Sequence, residues 1–143
     1  MTIVSMIAFQ AKINEVAELE DGLKQYVSCA KQVGSTMALI RATTGPMGLF
    51  WTLTLYETRG EMASTREKIV ASNAGTAFQN ALNHVSAPPN FSLWRQLQAV
   101  DTTSLATVLN GALLTAQKGK VPEFIEAVAN LQKLDKDLGH NSG

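Results

Sequence analysis

The stretch AKINEVAELEDGLKQYVSCAKQVG (11–34) returns, without a gap, as AQKGKVPEFIEAVANLQKLDKDLG (116–139). Ala11/Ala116, Val16/Val121, Glu18/Glu123, Lys31/Lys136 and Gly34/Gly139 are identical. Leu19/Phe124, Leu23/Val128, Tyr26/Leu131 and Val33/Leu138 keep their apolar character. An internal repeat of this kind bounds the architecture before any single residue does. Val16, Leu19, Leu23, Tyr26/Val27, Ala30 and Val33 recur at helical spacing. Asn14 is the expected N-cap, with Glu15 and Glu18 complementing the helix dipole. Gly34 suits the position just past the helix end, where a left-handed backbone is needed. In the second copy, Pro122 stands where the first turn of a helix tolerates proline.

Outward from this helix, the preceding run TIVSMIAFQA (2–11) reads as a strand. Ile3, Ile7 and Phe9 share one face; Val4, Met6 and Ala8 share the other. Both faces are apolar, so both are expected to be covered. Thr36–Thr43 predicts a second strand, residues 44–48 (TGPMG) a turn, and Leu49–Tyr56 (LFWTLTLY) a third strand, closing a hairpin. Thr58-Arg59-Gly60-Glu61 fits a capping box before a helix running to about Ala71. Ser72-Asn73-Ala74-Gly75 breaks it. A shorter helix then carries Phe78, Leu82 and Val85, and residues 87–90 (APPN) end it. Phe91–Leu97 reads as strand four. Leu105–Thr115 resembles a fifth, although Asn110-Gly111 suits a tight turn inside it.

The order β-α-β-β-α-β, followed by β-α, predicts an α+β fold: the ferredoxin-like βαββαβ arrangement with a four-stranded antiparallel sheet. The C-terminal β-α extension begins a second repeat. The expected division is a module over residues 1–99, a linker over 100–104, and a partial second module over 105–143. A ferredoxin-like sheet carries helices on one face only. Strands apolar on both faces therefore predict a second copy or a tandem half against the other, as exposed patches of this size mark interfaces.

Composition excludes several classes. Over 143 residues, 12 basic and 12 acidic side chains cancel, and neither sign forms a block. Nucleic-acid binding through a basic face is not expected. No apolar run reaches the roughly 20 residues that span a bilayer, and residues 3–9 make a poor signal peptide. The lone cysteine, Cys29, cannot close an intrachain disulfide, which fits a reducing cytoplasmic setting. Two histidines and one cysteine offer no metal-ligand spacing. No phosphate-binding loop, dinucleotide fingerprint or nucleophile elbow occurs. No cofactor is expected.

At residues 53–78, LTLYETRGEMASTREKIVASNAGTAF, the chain resembles the dimeric α/β-barrel superfamily, in its antibiotic-monooxygenase-like and NIPSNAP-like branches. Tyr56-Glu57, Arg66, Ser72-Asn73 and Phe78 take the places of an aromatic-acidic strand end, a basic helix residue, a break and an aromatic. The resemblance covers about residues 2–98. It implies a sheet-face dimer, a ligand space between sheet and helices, and for some members cofactor-independent oxidation of polycyclic aromatics. Haem degradation, also known in the superfamily, relies on an Asn/Trp/His set. Here Tyr56 stands in place of the tryptophan, and the helix lacks a mid-helix histidine. Tandem members fuse two modules; residues 104–138 look like the opening of a second one. The chain thus reads as a tandem protein cut short, or as one whose extra β-α unit docks on a neighbour and covers the open edge of strand five.

Candidate site residues are few. His84, after Asn80 and Asn83, is the weak candidate for a catalytic base; its place near a helix end equally suits a histidine favoured by the dipole. His140 falls in the tail. Arg41, Trp51 and Tyr56 are the candidate ligand-binding residues. If Thr43 faces Leu49, Arg41 faces Trp51 and a cation–π contact follows; a shift by one residue puts Ile40 there instead. Arg41, amid an apolar strand, needs a ligand anion or a carboxylate partner. Trp94-Arg95 repeats the pairing of types and suits an interface. Tyr26 and Tyr56 are amphipathic borders able to donate hydrogen bonds. Cys29 reads as a core thiol. The leading expectation is an oligomeric α/β-barrel protein, a homodimer or higher through the sheet face, that binds a small hydrophobic or aromatic molecule. A cofactor-independent monooxygenase acting on an aromatic substrate and a structural assembly unit are the alternatives.

Overall fold

Alternation along the third strand places the whole sheet. In the computed structural model, which describes residues 2–96 and 114–139, Ile3–Gln10 forms β1, Val16–Gln32 α1, Ala38–Arg41 β2 and Leu49–Tyr56 β3. Arg59–Val70 forms α2, Asn73–Leu82 α3, Asn90–Arg95 β4 and Val121–Asp137 α4. The strands make one sheet in the order β2-β3-β1-β4. Every neighbouring pair is antiparallel. This is the expected four-stranded α+β arrangement.

Register assigns each side chain to a face. Across β1 and β3, Phe9 pairs with Phe50, Ile7 with Thr52, Ser5 with Thr54 and Ile3 with Tyr56. Phe50, Thr52, Thr54 and Tyr56 are buried, so this face looks at the helices. The opposite face carries Gln10 beside Leu49, Ala8 beside Trp51, Met6 beside Leu53 and Val4 beside Leu55. Ile40 and Trp94 extend it on the flanking strands, as partners of Trp51 and Val4. β3 thus sends its two threonines inward, towards α1 and α3, and three leucines and a tryptophan to the opposite face.

The core lies between the helix face and α1 and α3. Leu19, Leu23, Tyr26, Val27 and Ala30 from α1 meet Phe9, Phe50, Ala74, Ala77 and Ala81. Alanines on α3 let the two helices approach closely, which suits a tightly packed layer. α2 gives the core only Ile69; apart from Met62 and the exposed Val70, the rest of its sequence is polar or small. Its start is a variant of the capping box: the hydroxyl of the N-cap Thr58 accepts from the Glu61 amide at 3.1 Å, and the Glu61 carboxylate accepts from the amide one residue before the cap, Glu57, at 2.7 Å. Gly75 lets α3 begin directly after α2. A β-carbon there would stand 2.7 Å from the Val70 carbonyl oxygen, a backbone atom that cannot swing aside. Gly75→Ala should therefore lower stability by about 1–3 kcal/mol, despite alanine's better helix propensity. The midpoint of chemical denaturation checks this.

Three local expectations change. Asn14 is not an N-cap: α1 starts at Val16 with Glu15 in the cap position and no side-chain cap bond. Asn14 instead has φ of 66°, a left-handed conformation that asparagine tolerates better than most residues, and it turns the chain out of β1. β2 is shorter than Thr36–Thr43. Thr36 bonds the Leu55 backbone through its hydroxyl instead of through the strand ladder. Val85 lies beyond α3 and bridges Ala11.

The chain resolves into two compact units, Met1–Arg95 and Gln96–Gly143. In the second, α4 repeats α1 residue for residue: both helices are 17 residues long, starting at Val16 and Val121. Gly34 and Gly139, two residues beyond the helix ends, both have positive φ. Yet no residue of α4 is fully buried, and Val121, Ile125, Leu131, Leu134 and Leu138 are exposed. The linker over 100–104, most of the expected fifth strand and His140 lie outside the described residues; Leu114 and Thr115 are not in a strand.

Candidate functional site

Small side chains on the helix face leave room above it. Ser5 and Thr54, paired across β1 and β3, stand where large apolar residues would meet a covering helix. From α2, Arg66 reaches the same space. Next to them β4 is left bare, with Phe91 and Leu93 56% and 59% exposed. The result is a cavity of about 290 Å³ lined by Ser5, Ile7, Met37, Thr54, Tyr56, Arg66, Phe91, Ser92 and Leu93. Ile7, Met37, Phe91 and Leu93 form an apolar wall. Ser5, Thr54, Tyr56 and Arg66 form a polar one. A mostly apolar concavity with a few convergent polar groups is the usual form of a small-molecule site.

The polar wall has a defined charge state. Burial pushes the Tyr56 hydroxyl above the usual phenol range; a hydrogen bond from Thr54 and the Arg66 charge oppose this, and the Glu61 charge adds to it. Behind it, Tyr26 packs on the Phe78 ring at 5.2 Å between centroids. Burial, with a smaller part from Tyr56, pushes Tyr26 up to about 12, against the pull of Arg66. Both phenols are protonated at neutral pH and available as donors. Beyond Leu93, a more open groove of about 500 Å³ runs past the strand ends between Ile3, Glu57, Arg59, Trp94 and Arg95.

Of the residues singled out from sequence, Tyr56 lines the cavity, and the other three lie elsewhere. Arg41 stands opposite Phe50, and Trp51 opposite Ile40 and Ala8, the shifted register of the two considered. Arg41 meets a carboxylate within the chain, Glu20 at 3.3 Å, which also holds Lys24 at 3.1 Å. Trp51 and Trp94 belong to the sheet face opposite α1 and α3, where the Trp94 indole donates to the Ser92 hydroxyl at 2.9 Å. His84 sits at the opposite end of the sheet, its Nδ1 3.4 Å from the Glu15 carboxylate. Its carbonyl accepts from the Lys12 amide, and the Lys12 ammonium bonds the Asn83 carbonyl at 2.7 Å. His84 therefore ties the β1–α1 turn to the end of α3. Cys29 is half-buried against the core.

Ser5, Ile7, Thr54, Arg66, Phe91 and Leu93 were not among the candidate ligand-binding residues. The signal for two of them was present: Ser5 and Thr54 interrupt otherwise apolar strands on one face. Among the described residues no cluster of His, Cys, Asp or Glu is arranged to hold a metal ion, and no helix is long and apolar enough to cross a membrane.

No family model matches the sequence, and no curated protein does. Solved structures do share its backbone. An antibiotic biosynthesis monooxygenase superposes with a TM-score of 0.55 at 12% identity, over 67% of this chain and 99% of that one. A NIPSNAP family protein from Agrobacterium tumefaciens strain C58 gives 0.56 at 13% identity, over 74% and 100%. A protein of unknown function from Nitrosomonas europaea gives 0.52 at 22% identity, over 68% and 91%. At such identities what is held in common is the path of the backbone, and the chain accordingly has the ferredoxin-like α+β fold of antibiotic-monooxygenase and NIPSNAP structures.

Proposed function

We propose that this chain is a self-associating α/β-barrel protein that binds a small apolar or aromatic molecule between its sheet and α2. The cavity over Ser5 and Thr54 carries the reading. It joins an apolar wall to the Tyr56 hydroxyl, and its size suits a ligand of one or two rings: a dry cavity of about 150 Å³ accommodates benzene. Self-association is supported by the other sheet face, where β3 turns Leu49, Trp51, Leu53 and Leu55 away from the core. The alternative of aromatic oxidation receives less support, since neither His84 nor Trp51 lines the cavity.

Filling the cavity tests the binding reading. Ser5 is half-buried on a strand, and phenylalanine suits strands. Ser5→Phe should leave the melting temperature within a few degrees of wild type. It should weaken the saturable binding of 2-naphthol, followed by the ligand's fluorescence, at least tenfold, because the ring occupies the ligand's space. Equal affinity in both proteins would place any 2-naphthol site elsewhere and remove the basis of the proposal.

A further inference from the structure

We infer that the molecule held in this cavity is an organic acid, a small apolar body carrying one carboxylate or similar anionic group, and that Arg66 reads the anion with Tyr56 beside it. The inference rests on the binding reading above and adds a ligand class to it.

The argument starts from the charges. Among the described residues, no carboxylate forms an ion pair with Arg66. Arg41, by contrast, is paired with Glu20, and Lys12 leans on Glu15 and the Asn83 carbonyl. Glu61 is the acidic group that acts on Tyr56, and its carboxylate is engaged by the Glu57 amide at the start of α2. Arg66 thus brings a full positive charge to the cavity wall with its donors uncommitted to any described acid. A guanidinium presents its donors as a planar fork matched to a carboxylate, and it cannot lose its proton.

The surroundings set what else the ligand must be. The same cavity is lined by Ile7, Met37, Phe91 and Leu93, which favour a hydrocarbon body. Ser5, Thr54 and Tyr56 supply hydroxyls. With its hydroxyl protonated at neutral pH, Tyr56 donates to an anion and does not repel it. A neutral hydrocarbon would satisfy only the apolar wall. A highly charged phosphate ester would find one cation and too much grease. An acid with a one- or two-ring body satisfies both walls.

The test uses a pair of probes of equal shape, naphthalene-2-carboxylate and naphthalene-2-carboxamide, titrated into the full chain by calorimetry at neutral pH. Wild-type protein should bind the carboxylate roughly tenfold or more tightly than the amide, the usual effect of a charge-assisted hydrogen bond. Arg66 is an exposed residue of α2, so its replacement leaves the core intact. Arg66→Gln should abolish the preference by weakening the carboxylate far more than the amide. Arg66→Lys should restore part of the preference, because the charge remains and the fork is lost. If wild type and Arg66→Gln bind both probes alike, the acid inference is overturned while the cavity reading stands. If the carboxylate preference survives Arg66→Gln, the assigned reader is wrong. If neither probe binds wild type, the binding reading fails and the inference falls with it.

Discussion

Glutamate at position 53 should leave the protein monomeric at concentrations where the wild type is assembled. Leu53 sits near the middle of the sheet face opposite α1 and α3, between Met6 on β1 and Ala38 on β2. On the proposed interface its side chain meets a second apolar sheet, with nothing to pair or hydrate a carboxylate. An uncompensated buried charge costs about 3–5 kcal/mol. A two-fold interface presents every residue twice, so the penalty enters twice. With a factor of ten for each 1.4 kcal/mol, the dissociation constant should rise at least roughly ten-thousand-fold. Light scattering reads the mass. A second readout is built in: Trp51 and Trp94 are the chain's two tryptophans, and both stand on this face. Their emission should shift to the red in Leu53→Glu and, on dilution, in wild type. The fold should survive, because Leu53 takes no part in the core. A Leu53→Glu protein with wild-type mass would end the proposal of sheet-face assembly.

The residues that make the proposed interface legible are the ones that made the fold legible. LFWTLTLY alternates with period two, and alternation survives whatever the partners are. Periodicity alone could not say which face of that strand looks inward. The larger apolar set, Leu49, Trp51, Leu53 and Leu55, would be the natural choice for the core; the structure buries Phe50, Thr52, Thr54 and Tyr56 instead. That choice is made by β1, where Phe9 must face Phe50, and by α1, whose stripe closes over both. Register between β2 and β3 was likewise left open by sequence, since a loop with two glycines and a proline fits either pairing. The observed turn places Ile40 beside Trp51 and sends Arg41 towards Glu20.

The site was less legible for a related reason. A cavity is a shortage of side-chain volume shared among strands that are not neighbours in sequence. Ser5 from β1, Thr54 from β3 and exposed Phe91 and Leu93 from β4 meet only when the sheet order is known. Tyr56 and Arg66 were marked in sequence as a strand end and a helix residue of the barrel type, without a joint role. Ten positions apart, they converge because the chain reverses between β3 and α2, and their electrostatic coupling is a product of that reversal. His84 shows the opposite effect. A histidine reads as chemistry in sequence; here it lies against Glu15 at the far end of the sheet from the cavity, where it also joins a turn to a helix end.

Phe9→Ala should be the most damaging single truncation in the first unit. Phe9 is fully buried and, with Phe50, is the largest side chain that is. It faces Phe50 across the β1–β3 ladder. Its ring meets the Phe78 ring edge-on at 6.0 Å, and Phe78 in turn leans on Tyr26. One side chain thereby connects the sheet, α3 and α1. Deleting such a ring removes its transfer energy and leaves a void that close-packed neighbours cannot fill, together about 3–5 kcal/mol. A domain of this size has only about 5–15 kcal/mol in total. The melting temperature should fall by roughly 15–30 °C, and the denaturation midpoint should fall with little change in slope. Phe91→Ala provides the contrast: the same truncation, at a side chain 56% exposed on β4, should change stability by less than about 1 kcal/mol. If the two substitutions cost the same, the core does not lie between the helix face and α1 and α3, and the assignment of faces on which the cavity and the interface depend is wrong.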